Sequence, residues 1–143
     1  MSTGILESVR DKILSQPFHQ ACEFSIVKAE AGRSHTQFKV NSFTGNIVGG
    51  LHGGIMYALL DVTAFIALST RLRSGQHAVS VDVHFAVLNV AFAGETVELE
   101  AQVDRSGATL GFMRVEAYVS DANGTKRIIG TGHVTKAVRK AAD

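Results

Sequence analysis

The sequence predicts an α+β fold in which an antiparallel β-sheet wraps one long central α-helix, and three observations carry that prediction. From Gly53 to Leu68 the chain is apolar almost without interruption. After Arg71-Leu72-Arg73-Ser74-Gly75 the hydrophobic period changes from about 3.6 to about 2, and it then holds that value nearly to the end. A single apolar helix followed by consecutive alternating strands is the pattern of an antiparallel sheet with its helix on one face.

The elements follow in order. Ile5, Leu6, Val9, Ile13 and Leu14 recur at helical spacing ahead of Pro17, so residues 4–16 read as a short amphipathic surface helix that ends before the proline. Residues 22–30 and 33–41 flank Ala31-Gly32 and carry Phe24, Ile26, Phe38 and Val40, which reads as strand, turn and strand. Ser42 to Leu51 is rich in Gly, Asn and Thr and opens onto the long helix. A helix apolar all round is either the buried centre of a domain or a membrane span, and a span needs about 20 apolar residues with few charges. Asp61, in the middle of this run, argues for burial in protein.

The strands come next. Val79, Val81, Val83 and Phe85 alternate with Ser80, Asp82 and His84; Val97, Leu99, Ala101 and Val103 alternate with Glu98, Glu100 and Gln102. Met113, Val115, Ala117 and Val119 continue against Arg114 and Glu116, and Ile128 to Val138 reads as a weaker final strand. Turns are expected at Ala93-Gly94, Arg105-Ser106-Gly107 and Ala122-Asn123-Gly124. There is no internal repeat or low-complexity tract.

Composition bounds the function. A chain of 143 residues suits one domain, expected to span 1–143, and 45% hydrophobic against 19% charged residues suits an ordered globular one. The 14 Lys plus Arg against 13 Asp plus Glu leave a net charge of +1, so no global field draws nucleic acid or a membrane surface, and an anionic ligand must be gripped locally. Cys22 is the only cysteine, which excludes an internal disulfide and speaks against a cysteine zinc site. Glu7, Arg10, Asp11 and Lys12 interrupt the N-terminal apolar residues, unlike a signal peptide, so the expected location is cytoplasmic. Asn123-Gly124-Thr125 matches a glycosylation sequon but reads better as a turn.

Two features carry chemistry. An ionised carboxylate buried without partners costs several kcal/mol, so Asp61 is either used or satisfied by a backbone group or a basic side chain in the core. Asn46-Ile47-Val48-Gly49-Gly50-Leu51-His52-Gly53-Gly54 runs directly into the helix. Its free N–H groups can polarise a carbonyl oxygen as an oxyanion hole does, or the segment is a flexible glycine-rich connection with His52 as a helix cap.

Gly49-Gly50-Leu51-His52-Gly53-Gly54 followed by Leu60-Asp61 resembles the hot-dog thioesterases of the phenylacetate-degradation type, the PaaI-like and 4-hydroxybenzoyl-CoA thioesterase-like proteins with their mammalian acyl-CoA relatives. Val79-Ser80-Val81-Asp82, Gly94-Glu95 and Arg105-Ser106-Gly107 to Phe112 extend the resemblance over roughly residues 40–136. It implies a hot-dog fold and hydrolysis of an acyl-CoA thioester without a separate cofactor, coenzyme A being part of the substrate. By position it implies Asp61 as general base or nucleophile, the Gly53 amide as the group polarising the carbonyl, Asn46 and His52 as its support, and Ser80 as the serine that helps Asp orient water. Alternation places Ser80 on the polar side of its strand, where a solvent-facing serine is the plain alternative. Gly54 adjoins the same loop as a substrate contact. Arg105 and Thr109 would meet coenzyme A phosphates, although an exposed turn carries such residues anyway. Leu88-Asn89-Val90-Ala91-Phe92 departs from the family, where a proline and a basic residue are frequent.

Asp61 follows His52 by nine positions, about 13 Å along a helix and about half a turn around it. One carbonyl cannot touch both within a chain, so a two-fold homodimer with composite sites is expected. The resemblance adds a dimer of dimers, a homotetramer. His19, His35, His77, His84 and His133 show no metal-ligand spacing, and no Gly-x-Ser-x-Gly elbow, Walker loop or dinucleotide fingerprint is present. A dehydratase of the same fold lacks its His-Phe-Pro-Gly-type segment here. A non-catalytic acyl-CoA sensor or scaffold is the rival of a different class. Phe43, Tyr57 and Phe65 either line an aromatic-acyl pocket or belong to the core.

Overall fold

Among the described residues, six strands, all antiparallel, form one sheet around a single long helix. The structure is a computed structural model, and it describes residues 4–140. In chain order the elements are α1 (Leu6–Leu14), α2 (Pro17–Ala21), β1 (Ser25–Glu30), β2 (Arg33–Lys39), α3 (Gly53–Ser69), β3 (Gln76–Val87), β4 (Thr96–Ser106), β5 (Leu110–Ser120) and β6 (Lys126–Lys140). The sheet order is β1-β2-β4-β5-β6-β3, so β3, which follows the helix, crosses to the far edge and, among the described residues, pairs only with β6.

Two boundaries differ from expectation for local reasons. Pro17 does not merely stop α1. With its φ fixed and no N–H to lose, it takes the first turn of a second short helix. That helix closes through Cys22 N–H to Phe18 O and Phe24 N–H to His19 O, with Glu23 at φ 55, so β1 starts at Ser25 and not at 22. β2 stops at Lys39 because Asn41 Oδ1 accepts from the amides of Phe43 and Thr44 and turns the chain.

α3 packs against one face of the sheet, with Met56, Leu59, Leu60, Ala64, Ile66, Ala67 and Leu68 almost fully buried. Each large apolar side chain taken out of water contributes about 1.5–3 kcal/mol. The close approach depends on two glycines of β6 and one of β5. A Cβ on Gly132 would lie 2.7 Å from a Leu60 methyl, one on Gly111 2.9 Å from Leu68, and one on Gly130 3.5 Å from Met56. The polar residues in the core are satisfied: Thr36 and Thr63 share a hydroxyl bond of 2.8 Å, Thr63 Oγ1 donates to Leu59 O, and Ser34 Oγ donates to Thr63 O.

α3 is not buried all round. Gly53, Gly54 and Tyr57 are exposed and Ala58, Asp61, Val62 and Phe65 half-buried, which is one continuous stripe at helical spacing. The strand beside that stripe also departs from simple alternation. β3 carries a bulge: Ser80 pairs with Lys136 and Asp82 with the next residue, Thr135, leaving Val81 unmatched. Before the bulge Ser80 shares the helix-facing side with Lys136; after it Val83 shares that side with Val134. Ser80 therefore does not lie on the strand's outer polar side, and Val79 and Val81 are 46% and 56% exposed instead of inward.

Candidate active site

Asp61 stands halfway along α3 on the half-buried stripe, its side chain 30% exposed in this chain. It is not a lone charge. Ser80 Oγ donates to Asp61 Oδ1 at 2.7 Å, Lys136 Nζ donates to the same oxygen at 2.9 Å, and Lys136 Nζ also donates to Ser80 Oγ at 2.6 Å. Asp61 Oδ2 has no hydrogen-bond partner among the described residues. Of the two explanations open for a carboxylate on an apolar helix, a basic partner is thus present, and it leaves one oxygen uncommitted. Lys136 stands outside every motif of the sequence. The available signal was its place between Val134 and Val138 on the apolar side of the last strand.

The glycine-rich segment is tightly organised. Asn46 Oδ1 accepts from the amides of Val48 and Gly50, both at 2.9 Å, its own amide donates to Gly50 O at 2.7 Å, and Nδ2 reaches Leu51 O at 3.4 Å. His52 is the cap of α3: its Nδ1 accepts from Gly54 N–H at 2.9 Å, so the neutral ring carries its proton on Nε2. A Cβ at Gly54 would crowd that ring at 3.1 Å. The cap occupies the Gly54 amide and leaves the Gly53 N–H without a partner among the described residues, at a residue where an added Cβ would meet nothing within 4 Å. This is the open donor that a helix start provides.

The departing segment Leu88 to Phe92 turns out to back this loop. Leu51 N–H donates to Ala91 O, Ala93 N–H donates to Gly49 O, and Gly50 bridges to Phe92. The segment is pinned in turn by Arg127, which donates to Glu95 Oε1 at 2.6 Å and to Val90 O at 3.2 Å, while Phe92 N–H donates to the same Glu95 oxygen. Burial alone would raise the Glu95 carboxyl, but the Phe92 amide and the bond and charge of Arg127 outweigh it and hold the carboxyl below its ordinary value. Burial pushes the Cys22 thiol up to about 11, so that cysteine is a packed apolar group.

The structure therefore gathers the expected residues into two groups, one at the start and one halfway along the same unbroken helix. Asp61 and Ser80 form one with Lys136; Asn46, His52, Gly53 and Gly54 form the other. Asp61 follows Gly53 by eight positions, about 12 Å of helix. Arg105 and Thr109 are exposed at the β4–β5 hairpin. The register Ser106–Gly111–Lys136–Ser80 across four strands places that hairpin at the Asp61 end of the sheet. Tyr57 stacks edge-on against Phe85 at 5.8 Å, and Phe65 lies under the Lys136 ammonium at 5.7 Å. A groove of about 680 Å³ lies on the opposite face of the sheet, among Arg33, His35, Glu100, Arg114, Glu116 and His133, and contains none of the candidate site residues. No cluster that could hold a metal occurs among the described residues, and no helix there is long and apolar enough to cross a membrane.

Comparison with known proteins bears directly on this arrangement. The sequence profile of the thioesterase superfamily matches residues 48–125, more than half of the chain, from the glycine loop through the β5–β6 turn. The chain belongs to the thioesterase superfamily. Human acyl-coenzyme A thioesterase 13 is 28% identical over 137 residues, covering 95% of both chains. The PaaI protein of the E. coli phenylacetic acid degradation operon superposes with a TM-score of 0.82 at 18% identity, covering 95% of this chain and 94% of that one. A Streptococcus pneumoniae thioesterase protein solved with coenzyme A superposes with a TM-score of 0.75 at 19% identity, covering 94% and 99%. The antiparallel sheet around α3 is the hot-dog fold, and as a superfamily member the protein is a thioester hydrolase.

Proposed function

We propose that this thioesterase hydrolyses an acyl-CoA at a site shared between two copies of the chain. The carrying observation is a matched pair of open valences: the unpartnered Gly53 N–H at the start of α3 and the uncommitted Oδ2 of Asp61. The Gly53 amide, aided by the helix dipole, polarises the thioester carbonyl and stabilises the oxyanion that develops on it. Asn46 shapes the loop that presents the amide, and His52 caps the helix through Nδ1, leaving Nε2 as a second donor for the carbonyl. Asp61 takes a proton from water as the water oxygen bonds to the carbonyl carbon, or adds to that carbon itself. In the first case the C–S bond then breaks and Asp61 returns its proton to the departing sulfur, giving the free acid and the thiol of coenzyme A; in the second the C–S bond breaks to leave an acyl anhydride on Asp61, the thiolate takes a proton from water, and a second water hydrolyses the anhydride to free acid and Asp61.

Three observations support a shared site. Gly53 and Asp61 are too far apart along one helix to meet one carbonyl. β3 is a twelve-residue edge strand with Val79 and Val81 exposed, and an edge of that kind invites pairing with another chain. The exposed stripe of α3 that holds Gly53, Tyr57 and Asp61 runs beside it. A two-fold dimer brings the loop of each copy to the Asp61 of the other; pairing of dimers into a homotetramer is the family's expectation for the next level. Gly54, Arg105 and Thr109 are the proposed contacts to the remainder of the substrate.

The test is thiol release from a panel of acyl-CoAs that differ in acyl chain. Wild-type protein is expected to liberate free coenzyme A, and Asp61→Asn to lose at least about two orders of magnitude in kcat with binding retained. Tight binding with no thiol from any substrate would make the protein a sensor and not a hydrolase.

A further inference from the structure

Lys136 is the least expected residue of the site. It lies on the helix-facing row of β6 between Val134 and Val138, its side chain 5% exposed. An ammonium taken that far from water costs several kcal/mol unless it is paired, and an apolar residue packed in the same space is often as stable as the pair. Stability alone therefore gives little reason to place a lysine here.

The bond directions supply a reason. An ammonium has only donors, so both of its short bonds, to Asp61 Oδ1 and to Ser80 Oγ, run outward from Lys136. With one lone pair of its oxygen taken by Lys136, Ser80 directs its single proton to Asp61 Oδ1. The three groups close a ring in which Oδ1 receives two donors and Oδ2 none. That ring fixes the rotation of the carboxylate about its last bond and distinguishes its two oxygens. The bulge at Val81 completes it, because that extra residue puts Ser80 in register with Lys136 on the helix side.

We infer that Lys136 is a positioning residue of the thioesterase, holding Asp61 by Oδ1 so that Oδ2 is the oxygen that meets water or the thioester carbon. It rests on the reading of Asp61 given above. Lys136 itself transfers no proton.

The experiment is a kinetic double-mutant cycle on the full chain with Lys136→Met, Ser80→Ala and the double variant, each checked for folding by circular dichroism and thermal melting. Lys136→Met is expected to lower kcat at least about tenfold while KM moves less than about threefold, since a misplaced carboxylate affects the chemical step and not the grip on coenzyme A. Because both residues act through one carboxylate oxygen, Ser80→Ala is expected to slow wild-type protein but to add less than about threefold in the Lys136→Met background. A purely structural lysine predicts the opposite: a lower melting temperature, near-normal kcat per folded molecule and multiplicative effects. Lys136→Arg keeps the charge without the compact three-donor head, and it replaces Lys136→Met in the cycle if that variant does not fold. Wild-type kcat in the folded variant, multiplicative effects with Ser80→Ala, or failure of both substitutions to fold would each overturn the inference. A wild-type chain that releases no thiol removes the catalytic reading and this inference together, whereas an active wild type with an equally active Lys136 variant removes only the inference.

Discussion

Composite sites make a quantitative prediction that a self-contained chain cannot imitate. Two variants each remove one half of the site. Asp61→Asn keeps the shape and hydrogen bonding of the side chain but cannot act as a base. Gly53→Val fills the approach to the unpartnered amide; because a Cβ there meets nothing within 4 Å, the substitution blocks substrate without crowding the chain's own fold. Each homodimer is expected to be inactive. When the two chains are co-expressed in equal amounts with different tags, random pairing makes about half of the dimers mixed, and each mixed dimer has one site with an intact loop facing an intact Asp61. The total should recover to about a quarter of wild-type activity, and to about half in the purified mixed dimer.

The reverse mixture provides the control. A chain carrying both substitutions is paired with wild type. Composite sites spoil both sites of every mixed dimer, so activity falls to about a quarter, contributed by wild-type homodimers alone. Sites contained in one chain would instead leave every wild-type chain active, and activity would stay near half. The assay is thiol release, read on each whole mixture and, for the two single variants, also on the mixed species after tandem affinity purification. No recovery in a verified mixed dimer of the two single variants, with half activity in the control, would refute the shared site and require Gly53 and Asp61 of one helix to serve different steps.

Two further outcomes follow from the packing. Gly132→Ala places a Cβ 2.7 Å from both Leu60 and the backbone oxygen of His84, so it should destabilise the fold by about 1–3 kcal/mol and reduce kcat by displacing the helix turn that bears Asp61; Gly130→Ala, whose nearest contacts are 3.1 Å to Ala86 O and 3.5 Å to the flexible Met56, should cost less. Urea unfolding with parallel kinetics orders the two, and an equal or reversed order would contradict the close-approach argument. The Glu95 carboxyl is depressed in the folded state, so its stabilisation is complete above the unfolded value of about 4.3 and is lost as pH falls through the lower folded value. Glu95→Gln should therefore be less stable than wild type at pH 7, with the gap narrowing as pH is lowered through the carboxylate range, as urea midpoints across that range would reveal; an undiminished gap at low pH would assign the effect to packing.

What the sequence made legible was whatever depends on periodicity. The helix from Gly53, the strands β4 and β5 and the turns at Gly94, Gly107 and Gly124 occur where alternation and turn chemistry put them, because burial on one face leaves a regular trace. What it concealed depends on single residues that break a period. Val81 is an ordinary valine in an alternating run, and nothing local marks it as the bulge that inverts the faces on either side of it. The exposed stripe of α3 is written in Gly, Tyr, Ala, Val and Phe, residues equally suited to a core, so it read as a helix buried all round. Lys136 escaped for a different reason: its partners lie 56 and 75 residues away in sequence, and only the tertiary fold brings them together.

The bulge links the chemistry of the site to the surface beside it. Without the extra residue at Val81, simple alternation would hold one phase along the whole of β3 against β6. A strand in phase with Val83 would then turn Ser80 away from Lys136 and Asp61, and Val79 and Val81 inward. With it, the serine reaches the carboxylate and the two valines face out along an unpaired edge. The same local irregularity that completes the Asp61–Ser80–Lys136 ring thus makes the neighbouring edge apolar and in want of a partner. A copy of the chain that covered this edge would withdraw the half-exposed Asp61 from water while bringing its own Gly53 amide toward it. In that arrangement, assembly of the dimer and assembly of the site are a single event.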